Sequence, residues 1–175
     1  MDFNIFVIPN EEIERIGFEN AVYGYPLEKG LHQLSDVIKT VLNEHDIEFI
    51  QGIDLGCGDG AVVNHFNKTL PRSEWHGIEL SKYRLDNSKH KENNILIEGN
   101  FLELNLRPYD FIFCNNLAFD DELKSAIEKK IFREFSGYLI LSDPIQFTRN
   151  ISKELLTFPV RTNWSSAHTF YLYRV

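Results

Sequence analysis

Carboxylates, amides and glycines at strand-to-loop junctions carry the clearest chemical signal in this chain. The run Ile53-Asp54-Leu55-Gly56-Cys57-Gly58-Asp59-Gly60 follows an apolar stretch (Ile47, Phe49, Ile50) and precedes Ala61 to Phe66, which reads as a helix start. Glycines there permit positive φ and close approach of a ligand, and the following helix aims its first N–H groups into the same space. The spacing is G-x-G-x-G with an acid two residues earlier, which departs from the G-x-G-x-x-G of dinucleotide turns. Glu79 lies 25 residues beyond Asp54 and can accept from both hydroxyls of a ribose. In Gly99-Asn100-Phe101-Leu102, Asn100 can bond an adenine amino group and Phe101 can stack on the ring; the plain alternative is a turn Asn beside a core Phe. Asn115-Asn116-Leu117-Ala118-Phe119 offers two amides and an aromatic where a second substrate would approach, against the alternative of ordinary loop capping.

These residues need a scaffold that brings strand ends together. Apolar positions Leu31, Leu34, Val37, Ile38, Val41 and Leu42 recur at helical spacing between Gly30 and His45. Strands are expected at about 49–55, 74–80, 95–98, 110–114 and 138–142, alternating with helices from Gly60 to Lys68, from Lys82 to about Glu92 with Ser81 as N-cap, and from Asp121 to Phe135. Asn93-Asn94 is expected to break the second of these. Alternation of this kind implies a parallel sheet covered on both faces, with ligands beyond the carboxyl ends of the strands. Phe158 to Trp164 and Ala167 to Val175 have no helix between them and should form an antiparallel hairpin around Ser165-Ser166. The first 29 or so residues read as an arm, with a strand candidate from Phe3 to Ile8, a polar piece from Glu11 to Arg15, and a surface turn at Ala21 to Pro26.

At 175 residues, 43% hydrophobic, the chain suits a single α/β domain spanning 1–175. Cys57 and Cys114 suggest neither a disulfide nor a metal site and fit a reducing compartment. The absence of a leader or a long apolar run sets the expectation of an intracellular protein, cytoplasmic or nuclear, neither secreted nor in a membrane. A net charge of −8 argues against a strong nucleic-acid footprint and favours a basic partner; the oligomeric state is not legible.

The glycine turn resembles the first motif of the S-adenosylmethionine (SAM) methyltransferases, which implies the Rossmann-like, seven-stranded form of the doubly wound fold. A narrower resemblance rests on five pieces. Asn115 to Phe119 looks like the Asn-Asn-Phe-Ala-Phe signature of the non-SET histone-lysine methyltransferases, the disruptor-of-telomeric-silencing (Dot-one) family. Val22-Tyr23-Gly24 resembles that family's cofactor loop, Asp54 to Val63 its glycine turn, and Gly99 to Leu102 its Gly-Asp-Phe-Leu. Asn163-Trp164 and Phe170-Tyr171-Leu172 are similar to its terminal Ser-Trp and Tyr-Tyr-Leu. The resemblance implies that Tyr23, Asp54, Gly56, Cys57, Gly58, Glu79, Asn100 and Phe101 hold SAM, with Asn116 or Asn115 orienting the donor end. Phe119, Trp164 and either Phe170 or Tyr171 would wall a lysine channel. The chain departs from the family at Tyr25-Pro26, Ala61 and Asp143, and it lacks the family's helical N-terminal part and basic nucleosome-binding segment. The expected activity is therefore methylation of a lysine on a histone or another basic protein. N-methylation of a nucleic-acid base or small amine, and SAM binding without turnover, are the alternatives.

Overall fold

The computed structural model describes residues 7–91, 95–147 and 153–175. In chain order the elements are α1 (Asn10–Ile16), α2 (Phe18–Ala21), α3 (Glu28–Glu44), β1 (Ile50–Leu55), α4 (Ala61–Thr69), β2 (Ser73–Glu79), α5 (Lys82–Asp86), β3 (Ile95–Glu98), β4 (Phe111–Cys114), α6 (Asp121–Glu134), β5 (Tyr138–Leu141), β6 (Lys153–Val160) and β7 (His168–Arg174). The seven strands form one sheet in the order β3-β2-β1-β4-β5-β7-β6. Pairing is parallel from β3 to β5, then antiparallel where β7 joins β5 and β6 joins β7. This is the doubly wound sheet with a terminal hairpin expected from the strand and helix alternation.

Period-two alternation divides the core into two layers. Phe111 and Phe113 of β4 face the cluster built on α3 and α4, with Leu34, Ile38, Val63 and Phe66. Their neighbours Ile112 and Cys114 face the cluster built on α6, with Ile127 and Ile131. Gly52 lies opposite Trp75 in the parallel register of β1 and β2. A Cβ at Gly52 would come within 2.3 Å of the indole, so the missing side chain makes room for the largest core residue.

Several boundaries differ from the sequence expectation. The helix that begins at Lys82 ends at Asp86, because Ser88 turns away to donate from Oγ to the Asp59 carbonyl in the glycine turn and to accept from the His90 amide. The expected break at Asn93-Asn94 lies outside the described residues. So does most of the strand candidate Phe3 to Ile8, of which only Val7 and Ile8 are described, without strand structure. The hairpin begins earlier than expected, at Lys153, and its second strand starts at His168. The polar arm forms two short helices, α1 and α2.

The segment after α2 is no free surface turn. Leu27 N–H donates to the Arg161 carbonyl, Pro26 bridges Thr162, and Tyr25 exchanges backbone and side-chain bonds with Asn163. This antiparallel pairing lays residues 22–27 against the end of β6 and carries Trp164 over them. A Cβ at Gly24 would meet the Trp164 ring at 2.5 Å, so the indole rests directly on that glycine.

Candidate active site

The glycine turn is built by three positive-φ glycines, Gly56 (81°), Gly58 (57°) and Gly60 (78°). Gly60 caps α4 from the left-handed region. Gly56 and Cys57 donate their amides to the Ile78 carbonyl at 2.9 and 3.0 Å, which pins the turn to the end of β2. A Cβ on Gly58 would fall 2.1 Å from the Tyr23 ring, whereas one on Gly56 would project into empty space. Gly58 therefore lets an aromatic of the arm lie on the turn, and Gly56 leaves a cradle open.

That open space is a cleft of about 280 Å³. Its walls include Tyr23 and Gly56, Glu79 and Arg84, Asn100 and Phe101, Asn115 and Phe119, and Trp164. Six separate segments supply these residues: the arm, the end of β1, the end of β2 with α5 behind it, the ends of β3 and β4, and the loop between β6 and β7. They converge because in a doubly wound sheet the carboxyl ends of adjacent strands share one crevice.

Carboxylates dominate the polar floor. Glu79 is buried; its Oε2 accepts from the Gly58 amide at 2.9 Å and its Oε1 from the Ser81 amide at 2.8 Å. Each oxygen keeps acceptor capacity, so Glu79 can still receive ribose hydroxyls. Asp54 lies buried beneath the turn and does not line the cleft. Burial raises its carboxyl pKa well above the ordinary value, and the neighbouring Glu79 and Asp59 charges raise it further. The Tyr23 phenol is pushed up by burial and by Asp59, whose Oδ1 lies 3.4 Å from the hydroxyl.

Asn115 and Asn116 part company. Asn115 donates from Nδ2 to the Gly24 carbonyl at 2.8 Å, while its buried Oδ1 has no hydrogen-bond partner. Asn116 is turned away from the cleft: its Oδ1 accepts from the Asp143 amide at 2.8 Å and its Nδ2 donates to the Asp143 carbonyl. It ties the β4 loop to the β5 loop, so of the two amides only Asn115 is at the site.

Three further expectations are corrected by the packing. Phe170 is fully buried and stacks on Phe113 at 6.2 Å in the core, and Tyr171 stacks on Tyr173 on the opposite face of the sheet. Neither walls the cleft, since inward positions on β7 point into the two core layers. Cys57 directs its thiol against Gly77 and Val63, and burial raises its pKa, so it packs the turn and offers the ligand no side chain. Phe119 does reach the cleft, where it stacks on Phe101 at 5.6 Å. Asn100 lines the wall, with its Oδ1 accepting from the Leu102 amide at 2.9 Å, a local turn bond that also orients it. Trp164 is 37% exposed at the rim, its ring set edge-on to His168. His168 bonds the Ser142 carbonyl at 2.7 Å and supports Trp164 from below. Asp143 pairs with Lys124 at 2.7 Å.

Residues the sequence did not single out are Arg84, Asn20 and Leu80. Their positions in a charged helix, the arm and the turn after β2 carry no spacing signal; only pairing between distant segments brings them here.

Residues 53–139 match a protein-family model described as a methyltransferase domain. A magnesium protoporphyrin IX methyltransferase from Synechocystis PCC 6803 with bound SAM superposes with a TM-score of 0.62 at 13% identity, covering 98% of this chain and 88% of that one. An RNA methyltransferase from Salinibacter ruber, in complex with S-adenosyl-L-homocysteine, gives 0.59 at 14% identity, covering 80% and 90%. A SAM-dependent methyltransferase from Clostridium acetobutylicum ATCC 824 gives 0.60 at 14%, covering 85% and 92%. No curated protein sequence matches this chain.

The fold is thus the Rossmann-like one of the SAM-dependent methyltransferases, and the methyltransferase-domain match over residues 53–139 supports SAM as the cofactor. The residues present fit it. An open cradle at Gly56, a buried acidic floor suited to a cationic ligand, and an orphaned acceptor on Asn115 all border the same aromatic cleft.

Proposed function

We propose that the chain is a protein-lysine N-methyltransferase acting on a basic protein, a histone being one such substrate. The observation that carries this reading is the convergence of Phe119 and Trp164, from two different loops, on the cleft that also holds Gly56, Glu79 and Asn115. An aromatic-walled slot next to the cofactor turn suits a long apolar side chain with a cationic tip. Asp120, Asp121 and Glu122 stand exposed directly after Phe119, and the chain carries a net charge of −8, which together favour a basic segment and disfavour nucleic acid.

SAM supplies an electrophilic methyl group. The protein's part is alignment and delivery of a neutral amine. A lysine ammonium has an unperturbed pKa of about 10.4 and must lose its proton before attack. Ring faces of Phe119 and Trp164 attract the cation at the rim, and deeper in the slot the loss of hydration lowers its pKa. Asn115, held by the Gly24 carbonyl, has an acceptor in hand for an amine N–H. Neither His168 nor Asp143 is placed as a base, because each is engaged with its own structural partner.

Methyl-labelled SAM incubated with a panel of basic peptides including histone tails, with RNA, and with polyamines tests the reading. Label on lysine of a peptide, lost when that lysine is arginine, is the expected result. Label confined to RNA or polyamines would overturn it in favour of base or small-amine methylation. No label in any arm, with S-adenosylhomocysteine still binding, would favour a SAM-binding domain without turnover.

A further inference from the structure

Arg84 lines the cleft yet has no part in the chemistry described above. Its side chain is 2% exposed, and a buried guanidinium is costly unless its donors are met. Nη1 and Nη2 find theirs in an unusual set. Nη2 donates to the Ala21 carbonyl at 2.5 Å, and Nη1 reaches the Asn20 carbonyl at 3.3 Å and Glu79 Oε1 at 3.4 Å. The guanidinium also lies over the Tyr23 ring, 4.9 Å from its centroid, while Nε has no hydrogen-bond partner. One cation therefore gathers two carbonyls and an aromatic of the arm onto the carboxylate that ends β2.

An apolar residue of similar volume would often serve stability equally well at such a site, so the value of Arg84 lies in what it places. We infer that Arg84 is a positioning residue for the cofactor: it holds Asn20 to Tyr23 against Glu79, so that the arm becomes one wall of the SAM cleft. A second fastening at the same corner supports this. Arg15 donates to the Leu80 carbonyl at 2.9 Å, and Glu12 accepts from Ser81 Oγ and the Tyr83 amide. These three bonds tie α1 to the β2–α5 turn, and Leu80, Asn20 and Val22 themselves line the cleft. Arm order and cofactor occupancy are then coupled, and the coupling is reciprocal: SAM steadies the arm, and a loosened arm weakens SAM.

Hydrogen exchange over residues 10–24, with and without S-adenosylhomocysteine, together with its dissociation constant by calorimetry, tests this on the wild type, Arg84→Met and Arg84→Lys. In the wild type the ligand should slow exchange at residues 20–24. Arg84→Met should speed exchange there and raise the dissociation constant about tenfold or more, a coupling of ordinary size. Arg84→Lys keeps the charge but loses the planar fork, and should fall between the two. If Arg84→Met fails to fold by circular dichroism, Arg84→Lys and the wild-type exchange decide. A dissociation constant within twofold of wild type in a folded variant, or no ligand effect on exchange at residues 20–24, would overturn the proposal. A weaker dissociation constant with unaltered arm exchange would overturn it too, by making Arg84 a direct ligand.

Discussion

Asp54 occupies a position that is unfavourable in the free protein. Its pKa is raised first by burial and then by Glu79 and Asp59, so the folded state binds its proton more tightly than the unfolded chain does. The stability tied to that proton is complete below about pH 3.8 and is lost as pH rises toward the folded pKa. Asp54→Asn should therefore melt higher than wild type in the absence of ligand, by a margin that grows as pH rises above about 3.8. The same variant should bind SAM more weakly, since its sulfonium cation favours the ionised carboxylate. Paired calorimetric scans across pH check both, and equal melting temperatures at pH 7 would remove Asp54 from the acidic floor. The two asparagines separate by a similar logic. Asn116→Ala leaves the Asp143 amide without its side-chain acceptor and should cost about 1–3 kcal/mol of stability in denaturant titrations. Trp164→Ala, at the rim, should lower turnover on a lysine peptide with less effect on cofactor affinity and little on stability. A large loss of cofactor affinity in Trp164→Ala would argue against a substrate wall.

At the scale of elements, the N-terminal arm is the piece whose attachment most depends on charge. Glu12 is held down to about 2, first by its hydrogen bonds with Arg15, with the Tyr83 amide and the Ser81 hydroxyl adding to the effect. A depressed carboxylate contributes stability that is complete above its unfolded value of 4.5 and is lost as pH falls from there through about 2. Arg15 is nearly half exposed, so solvent screening discounts the pair, and the contribution is on the order of 1–2 kcal/mol. Glu12→Gln should lower the melting temperature at pH 7 and converge on wild type near pH 2; a constant offset across that range would sink the assignment. The arm was only partly legible in the sequence. Glu11 to Arg15 reads as a polar, acidic piece of an arm packed against the domain, and nothing in its spacing tells that Glu12 and Arg15 reach the corner after β2. Likewise α5 reads as a longer charged helix, because a Ser88 hydroxyl bonding to the Asp59 carbonyl is a contact between turns far apart in the chain.

For the whole molecule, cofactor binding and folding are linked. At a concentration 100 times its dissociation constant, S-adenosylhomocysteine should add about 2.7 kcal/mol of stability. For a chain of this length that corresponds to a rise in melting temperature of roughly 5–10 °C. Thermal melts over a ligand series check it, and a flat response would deny that the cleft holds the cofactor. Among the described residues no helix is long and apolar enough to cross a membrane. By itself the sequence determined the strand and helix alternation, the glycine turn and the strand-end residues Glu79, Asn100 and Phe101, because these follow from local periodicity and from backbone freedom at particular glycines. Tertiary structure alone decided that Asn115 and not Asn116 borders the cleft, that Phe170 and Tyr171 serve the core while Trp164 lies on Gly24, and that Arg84 fastens the arm to Glu79. Those outcomes depend on which face of a strand a side chain takes and on pairing between segments distant in the chain, which hydrophobic period and motif spacing do not encode.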